Sequence, residues 1–235
     1  MKAVRVFSVG ILVLAAAACT TEVPAPLTAA ERTTYKIEKV VVTVPDEAEV
    51  WWGAGDRAVA RSAGVETSDA ESTETYIETP EGRDALHSLA AQRIERSVAP
   101  QVAFALVGQK PVQLSMVVDQ IFVASSAQQV LIGGNHLLWA GVQVFDLETG
   151  EAVTNPQRLF AFGGGGGGIL GAAIDAARAA PIDRLGSEMG IQTRNWLLAT
   201  GSFEVPFAES QNKLPFPIPG PEVTPPAAPE AVPSS

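Results

Sequence analysis

Cys19 is the only cysteine in the 235 residues, and it stands directly behind an apolar leader. A single cysteine cannot form a disulfide within the chain. Whatever folds here must hold together by core packing and hydrogen bonding alone. The other end is bounded by composition: nine prolines fall between Val205 and Ser235, among Ala, Glu and Ser. Such a stretch has too little apolar surface to offset the entropy of ordering it. The expected organisation is a leader at 1–18, a tether at 19–33, one domain at 34–204 and a disordered proline-rich tail at 205–235.

Lys2 and Arg5 open the leader, Val9 to Ala18 form its apolar core, and Ala15 to Ala18 put small residues last. This is the three-part layout of a secretory signal peptide, and its core falls short of the roughly 20 residues of a spanning helix. Ala16-Ala17-Ala18-Cys19 resembles a bacterial lipobox, in which the thiol takes a diacylglyceryl group and the cysteine becomes the new N-terminus. Ala16 stands where Leu is usual, and Ala16-x-Ala18 also fits an ordinary signal-peptidase site at the same bond. An odd thiol in an exported chain needs a role, and lipidation of Cys19 supplies one. Two or three acyl chains, at about 0.8 kcal/mol per buried CH2, hold a protein stably on a bilayer where one is marginal. By likeness to other lipoproteins, Thr20 rather than Asp after the cysteine implies the outer membrane, facing the periplasm. The expected partners are the membrane, through lipidated Cys19, and an envelope protein.

The formal net charge is −10, and the leader carries Lys2 and Arg5 with no acid, so the remainder is near −12. That balance argues against a nucleic-acid partner and against electrostatic attraction to anionic lipid.

Within the domain, Tyr35 to Val44 is β-rich and closed by Pro45, which predicts a first strand. Asp46 to Thr79 is acidic and rich in Gly, Ser and Thr; parts of it are compatible with helix, and no fixed structure is assigned to it. Trp51 and Trp52 lie inside it; on a strand they would point opposite ways. Packing of one or both on the core and an exposed recognition loop are the two readings. Thr79-Pro80-Glu81 is a helix start, with Thr as N-cap and Pro at the first helical position. Leu86, Leu89, Ala90, Ile94 and Val98 then make one apolar stripe, with Arg83, Arg93 and Arg96 off it as a solvated face, and Pro100 ends or kinks the helix.

Strands are expected over Pro111–Val123, Val130–Ile132, Leu137–Phe145 and Ala152–Phe162, the last broken at Pro156 and therefore at a sheet edge. Leu137, Trp139 and Gly141 fall on one side of the third and Leu138, Val142 and Val144 on the other, so both faces are expected to be covered. Asp146 to Gly150 is a turn signal that makes the last two strands an antiparallel hairpin. Six glycines, Gly163 to Gly168, follow, then a small-residue helical segment over Ile169–Ala180. Beyond Pro181, Ile182, Leu185, Met189, Trp196 and Leu197 mark an amphipathic helix to about Ala199. The expected fold class is α+β: a two-layer domain with a mostly antiparallel sheet of about four strands and two helices on one face.

No chemistry stands out. GxGxxG occurs in any six-glycine run, and no βαβ unit with a following acid supports a dinucleotide site here. A flexible connector is the simpler role. Glycines four apart, such as Gly186 and Gly190, would instead let two backbones approach closely. His87 and His136 are the only histidines, too few for a transition-metal site, and no Gly-x-Ser-x-Gly elbow occurs. No catalytic residue, cofactor site or metal ligand is assigned; the only assigned site residue is Cys19, for lipidation. The expectation is a non-enzymatic binding or scaffolding module. A periplasmic hydrolase and a proline-tailed envelope spacer are the alternatives.

Val50-Trp51-Trp52-Gly53 with Gly55-Asp56-Arg57, Ile132-Gly133-Gly134-Asn135-His136, and Val144 to Gly150 with Asn155-Pro156-Gln157-Arg158 together give a resemblance. Over roughly residues 35–165 the chain resembles an uncharacterised lipoprotein family of alphaproteobacteria. The resemblance implies lipid anchorage and no assigned activity. The strand and helix order is also similar to small outer-membrane lipoproteins that assist envelope assembly or transport.

Overall fold

In a computed structural model the described residues are 26–125, 135–163, 179–200 and 214–222. The fold is α+β, built on a five-stranded, mostly antiparallel mixed sheet. In chain order the elements are α1 (Ala29–Thr34), β1 (Tyr35–Thr43), β2 (Glu49–Trp51), α2 (Gly53–Ser62), α3 (Ala70–Ile77), α4 (Pro80–Val102), β3 (Lys110–Phe122), β4 (His136–Asp146), β5 (Gln157–Gly163) and α5 (Pro181–Leu198).

β3 is the axis of the sheet. β1 pairs parallel with its first half, from Tyr35 opposite Lys110 to Thr43 opposite Val117, and β2 takes over the same edge at Glu49 opposite Gln120. β4 pairs antiparallel on the other side, and β5 pairs antiparallel with β4 at the sheet edge. The hairpin turn follows its expected chemistry. Gly150 takes φ 74°, where a side chain would be strained, and the Asp146 carboxylate accepts from the N–H groups of Glu148 and Thr149 at 2.8 and 3.1 Å.

α4 starts as its sequence predicts, with the Thr79 hydroxyl accepting from the Gly82 N–H at 3.1 Å. Leu86, Ala90, Ile94 and Val98 are buried, and the helix continues past Pro100 to Val102. α5 lies beside it in the same direction: Gly186 meets Ile94 and Ser97, and Gly190 meets Val98 and Gln101. A Cβ on Gly190 would come within 2.7 Å of the Gln101 Cβ, and one on Gly186 within 2.8 Å of the Ser97 Cβ. The close-approach reading of this glycine pair is therefore the structural one. α4 contacts β1, and α5 contacts β4 and β5. Leu86, Ile94, Val98, Leu114, Met116, Leu138, Val142, Leu185 and Met189 belong to one buried cluster.

Four expectations change. Asp46 to Thr79, compatible with helix in parts and given no fixed structure from sequence, holds β2, α2 and α3, with α2 and α3 packed on each other and on α4. Arg93 leaves the solvated face, because α5 brings Asp183 to it; Arg93 Nε donates to Asp183 Oδ1 at 2.7 Å and a second nitrogen binds the other oxygen. The end of the tether is structured: Leu27 is buried, and Thr28 and Glu31 close a capping box on α1. Within the proline-rich tail, Leu214 to Glu222 has a described place on the sheet. Leu214 and Ile218 lie against Gly141 and Gly220 against Phe145, so these apolar residues cover the β4 face opposite Leu138 and Val142. Val130–Ile132, Gly164 to Gly168, most of Ile169–Ala180 and the rest of the tail lie outside the described residues.

Candidate functional site

The run from β2 into α2 divides the two tryptophans. Trp52 is 5% exposed, with its ring against Gly55, while Trp51 is 65% exposed. The division falls where the strand ends: Trp51 is the last residue of β2 and Trp52 is the N-cap of α2. β2 ends beside the end of β3, where the Val123 N–H donates to the Trp51 carbonyl at 2.8 Å.

An open cleft of about 820 Å³ lies at this end of the sheet. β2 supplies Val50 and Trp51, the start of α2 supplies Asp56 and Arg57, α3 supplies Thr73, Glu74 and Ile77, and Phe122 ends β3 on its wall. Asp69 caps α3 and holds it in place, its carboxylate accepting from the N–H groups of Glu71 and Ser72 at 3.2 and 3.0 Å. The cleft thus joins apolar and aromatic surface to a few charged groups, the general make-up of a small-ligand or peptide site.

Asp56 is the unusual group in it. It is half-buried, and its carboxylate makes no hydrogen bond or ion pair among the described residues. Burial pushes its carboxyl up to about 6, against a smaller opposing pull from the neighbouring Arg57 guanidinium. A carboxylate held this way gains from a cation or a hydrogen-bond donor brought into the cleft.

A second, smaller recess of about 290 Å³ is lined by Glu47, Glu49, Asp119, Gln120, Arg158, Pro215 and Phe216. At its base Arg158 pairs with Asp119 and stacks over the Trp139 ring, 4.6 Å from the centroid. Asp119 is raised by burial despite the pairing. The buried ion pair and the overlying Pro215 and Phe216 make this a structural contact between the tail segment and the sheet.

The two histidines are core residues. His136 is fully buried, and its Nδ1 accepts from the Ala124 N–H at 3.1 Å. His87 is buried on α4, and desolvation lowers its pKa. Among the described residues no group of three metal-ligating side chains assembles, and no helix is long and apolar enough to cross a membrane. Cys19, the one residue assigned a role from sequence, lies outside the described residues. Asp56 and the cleft carry no sequence motif; the Trp51-Trp52-Gly53 run beside a helix start is the one signal that pointed here. No protein family, no characterised protein and no solved structure matches this chain.

Proposed function

We propose that this protein is a lipid-anchored envelope lipoprotein of the outer membrane, facing the periplasm, whose α+β domain is a non-enzymatic binding module. Cys19 would carry the lipid, and the Trp51 cleft would take the partner. One observation carries the binding role: a 65% exposed indole stands at a cleft that also holds an unpaired, half-buried carboxylate. Exposed aromatics are the side chains that most often anchor partners. The leader, the lone cysteine and the resemblance over residues 35–165 support the anchor.

The test compares wild type, Cys19→Ala and Trp51→Ala, each purified from cross-linked cells. Mass spectrometry reads the N-terminal modification and the co-purifying proteins. An acylated Cys19, with an envelope partner retained by wild type and lost by Trp51→Ala, supports the reading. The same partners on Trp51→Ala would move the site elsewhere, and an unmodified N-terminus would end the anchor assignment.

Asp56 favours one competing reading. A carboxyl near 6 suits general acid–base work at neutral pH. Under that reading, a screen of hydrolysable substrates finds turnover that Asp56→Asn abolishes. Turnover unchanged in Asp56→Asn, or no turnover, leaves the binding role.

A further inference from the structure

The most exposed large apolar side chains among the described residues are not in the cleft. Phe104 is 87% exposed and Val107 is 73% exposed, and both belong to the loop between α4 and β3. No charged residue occurs between Arg96 and Lys110, in a chain of which 18% is charged. The loop is fixed to the segment that leads in from Cys19. The Val107 N–H donates to the Arg32 carbonyl at 3.4 Å, Gly108 to Tyr35 at 2.8 Å and Gln109 to Thr34 at 3.0 Å. Arg32 in turn donates to the Leu198 carbonyl at the end of α5, at 2.6 Å. The end of α4, the end of α5 and the segment from Arg32 to Tyr35 are therefore tied into one pole with an apolar tip.

From this geometry we infer that the Phe104–Val107 loop is a second contact with the lipid bilayer, set beside the acyl anchor. The inference rests on the reading that Cys19 is lipidated. Seven residues lie between Cys19 and buried Leu27, eight Cα–Cα steps in all. Fully extended they span at most about 28 Å, so a lipidated cysteine keeps this pole near the membrane surface. The charge of the protein would not attract it to anionic lipid, but the uncharged loop needs only apolar insertion. Size also favours lipid over protein. One aromatic side chain buries about 150–250 Å², so the pair falls well short of the roughly 800 Å² per partner of a stable protein interface. The cleft lies at the opposite end of β3, about 35 Å away at 3.3 Å per residue, and would face away from the bilayer.

The test uses the full-length protein purified with its native N-terminus and reconstituted into phosphatidylethanolamine–phosphatidylglycerol vesicles. An acylated Cys19 leaves no free thiol, so Val107→Cys and, separately, exposed Ala54→Cys at the cleft pole each introduce one. Each carries an environment-sensitive fluorophore, read against lipids with a quencher on the acyl chain. The expected result is quenching at 107 at least about threefold above that at 54, falling toward the 54 level when Phe104→Ser is added. Phe104 is exposed, so that change leaves the fold intact, checked by circular dichroism. Equal quenching at the two positions with Cys19 acylated by mass overturns the inference and leaves the anchor standing. Shielding of 107 from aqueous iodide without quenching by lipid means a protein covers the loop, and also overturns it. An unmodified Cys19 ends the anchor reading, and this inference with it.

Discussion

Asp56 and Asp146 are aspartates at opposite ends of β3, and their surroundings push them in opposite directions. Asp146 is 4% exposed. Burial alone would raise it, but the Lys110 ammonium and the Glu148 and Thr149 N–H groups hold its carboxyl below the ordinary range. Asp56 is less buried but has no such partners, and desolvation raises it to about 6. At the Asp146 pole the buried carboxylate is answered by Lys110 and two turn N–H groups, and Phe104 and Val107 stand exposed. At the cleft pole an unanswered carboxylate and a bare indole face an open space. The contrast is between these two carboxylates: one is held by its partners, and the other is left for a partner brought into the cleft.

The largest test of this contrast is Trp52→Ala. Its ring is buried in the core cluster against Gly55 of α2, and truncating a buried Trp costs about 3–5 kcal/mol. Urea unfolding followed by circular dichroism reads the loss. A cost under about 1 kcal/mol would mean that the cleft pole is loosely packed throughout, not only at its mouth.

Much of this arrangement is legible in the sequence. The Thr79-Pro80 cap, the apolar stripe of α4, the strand alternation of β3 and β4 and the Asp146–Gly150 turn are local patterns, and each produces the element it predicts. The Gly186–Gly190 spacing also reads correctly, because close helix contact requires small residues at that interval. The cleft does not read this way. β2, α2 and α3 are 3, 10 and 8 residues long, and helices so short owe their stability to tertiary packing rather than to propensity. An acidic, Gly- and Ser-rich composition hides them. Asp56 looks like any surface acid until the neighbouring elements desolvate it. Arg93 looks solvated until a helix 90 residues away brings Asp183 beside it.

Asp146→Ala comes next in size. It removes the acceptor for two turn N–H groups and the partner of Lys110, and we expect a loss of about 2 kcal/mol at pH 7. The pH profile carries the sign. Because the folded carboxyl lies below its unfolded value near 3.8, the wild type has this stability above that pH and loses it as pH falls through the depressed folded value. The gap between wild type and variant should therefore close only below pH 4. A gap that closes near pH 6 would break the contrast between the two aspartates.

Asp56→Asn should do the reverse. With its folded pKa raised, Asp56 favours the fold when protonated, and that contribution is lost as pH rises through about 6. At pH 7.5 the variant should be more stable than wild type by about 1 kcal/mol, after discounting for partial exposure to water, and only below the unfolded value of 3.8 should the two melt together. A variant less stable than wild type at pH 7.5 would show that the carboxylate is answered after all.

Trp51→Ala is expected to have the smallest effect on stability, within about 0.5 kcal/mol, because most of the indole already faces water. Its value lies in the pairing with Trp52. The two rings are neighbours in sequence, Trp51 ending β2 and Trp52 capping α2, and they differ in the side they present, one to water and one to the core. A loss of partner from Trp51→Ala with unchanged unfolding, beside a large loss of stability from Trp52→Ala, would assign recognition to one ring and support to the other. Equal destabilisation by both would mean that Trp51 packs in solution against something that covers the cleft, and that the open mouth is not the resting state.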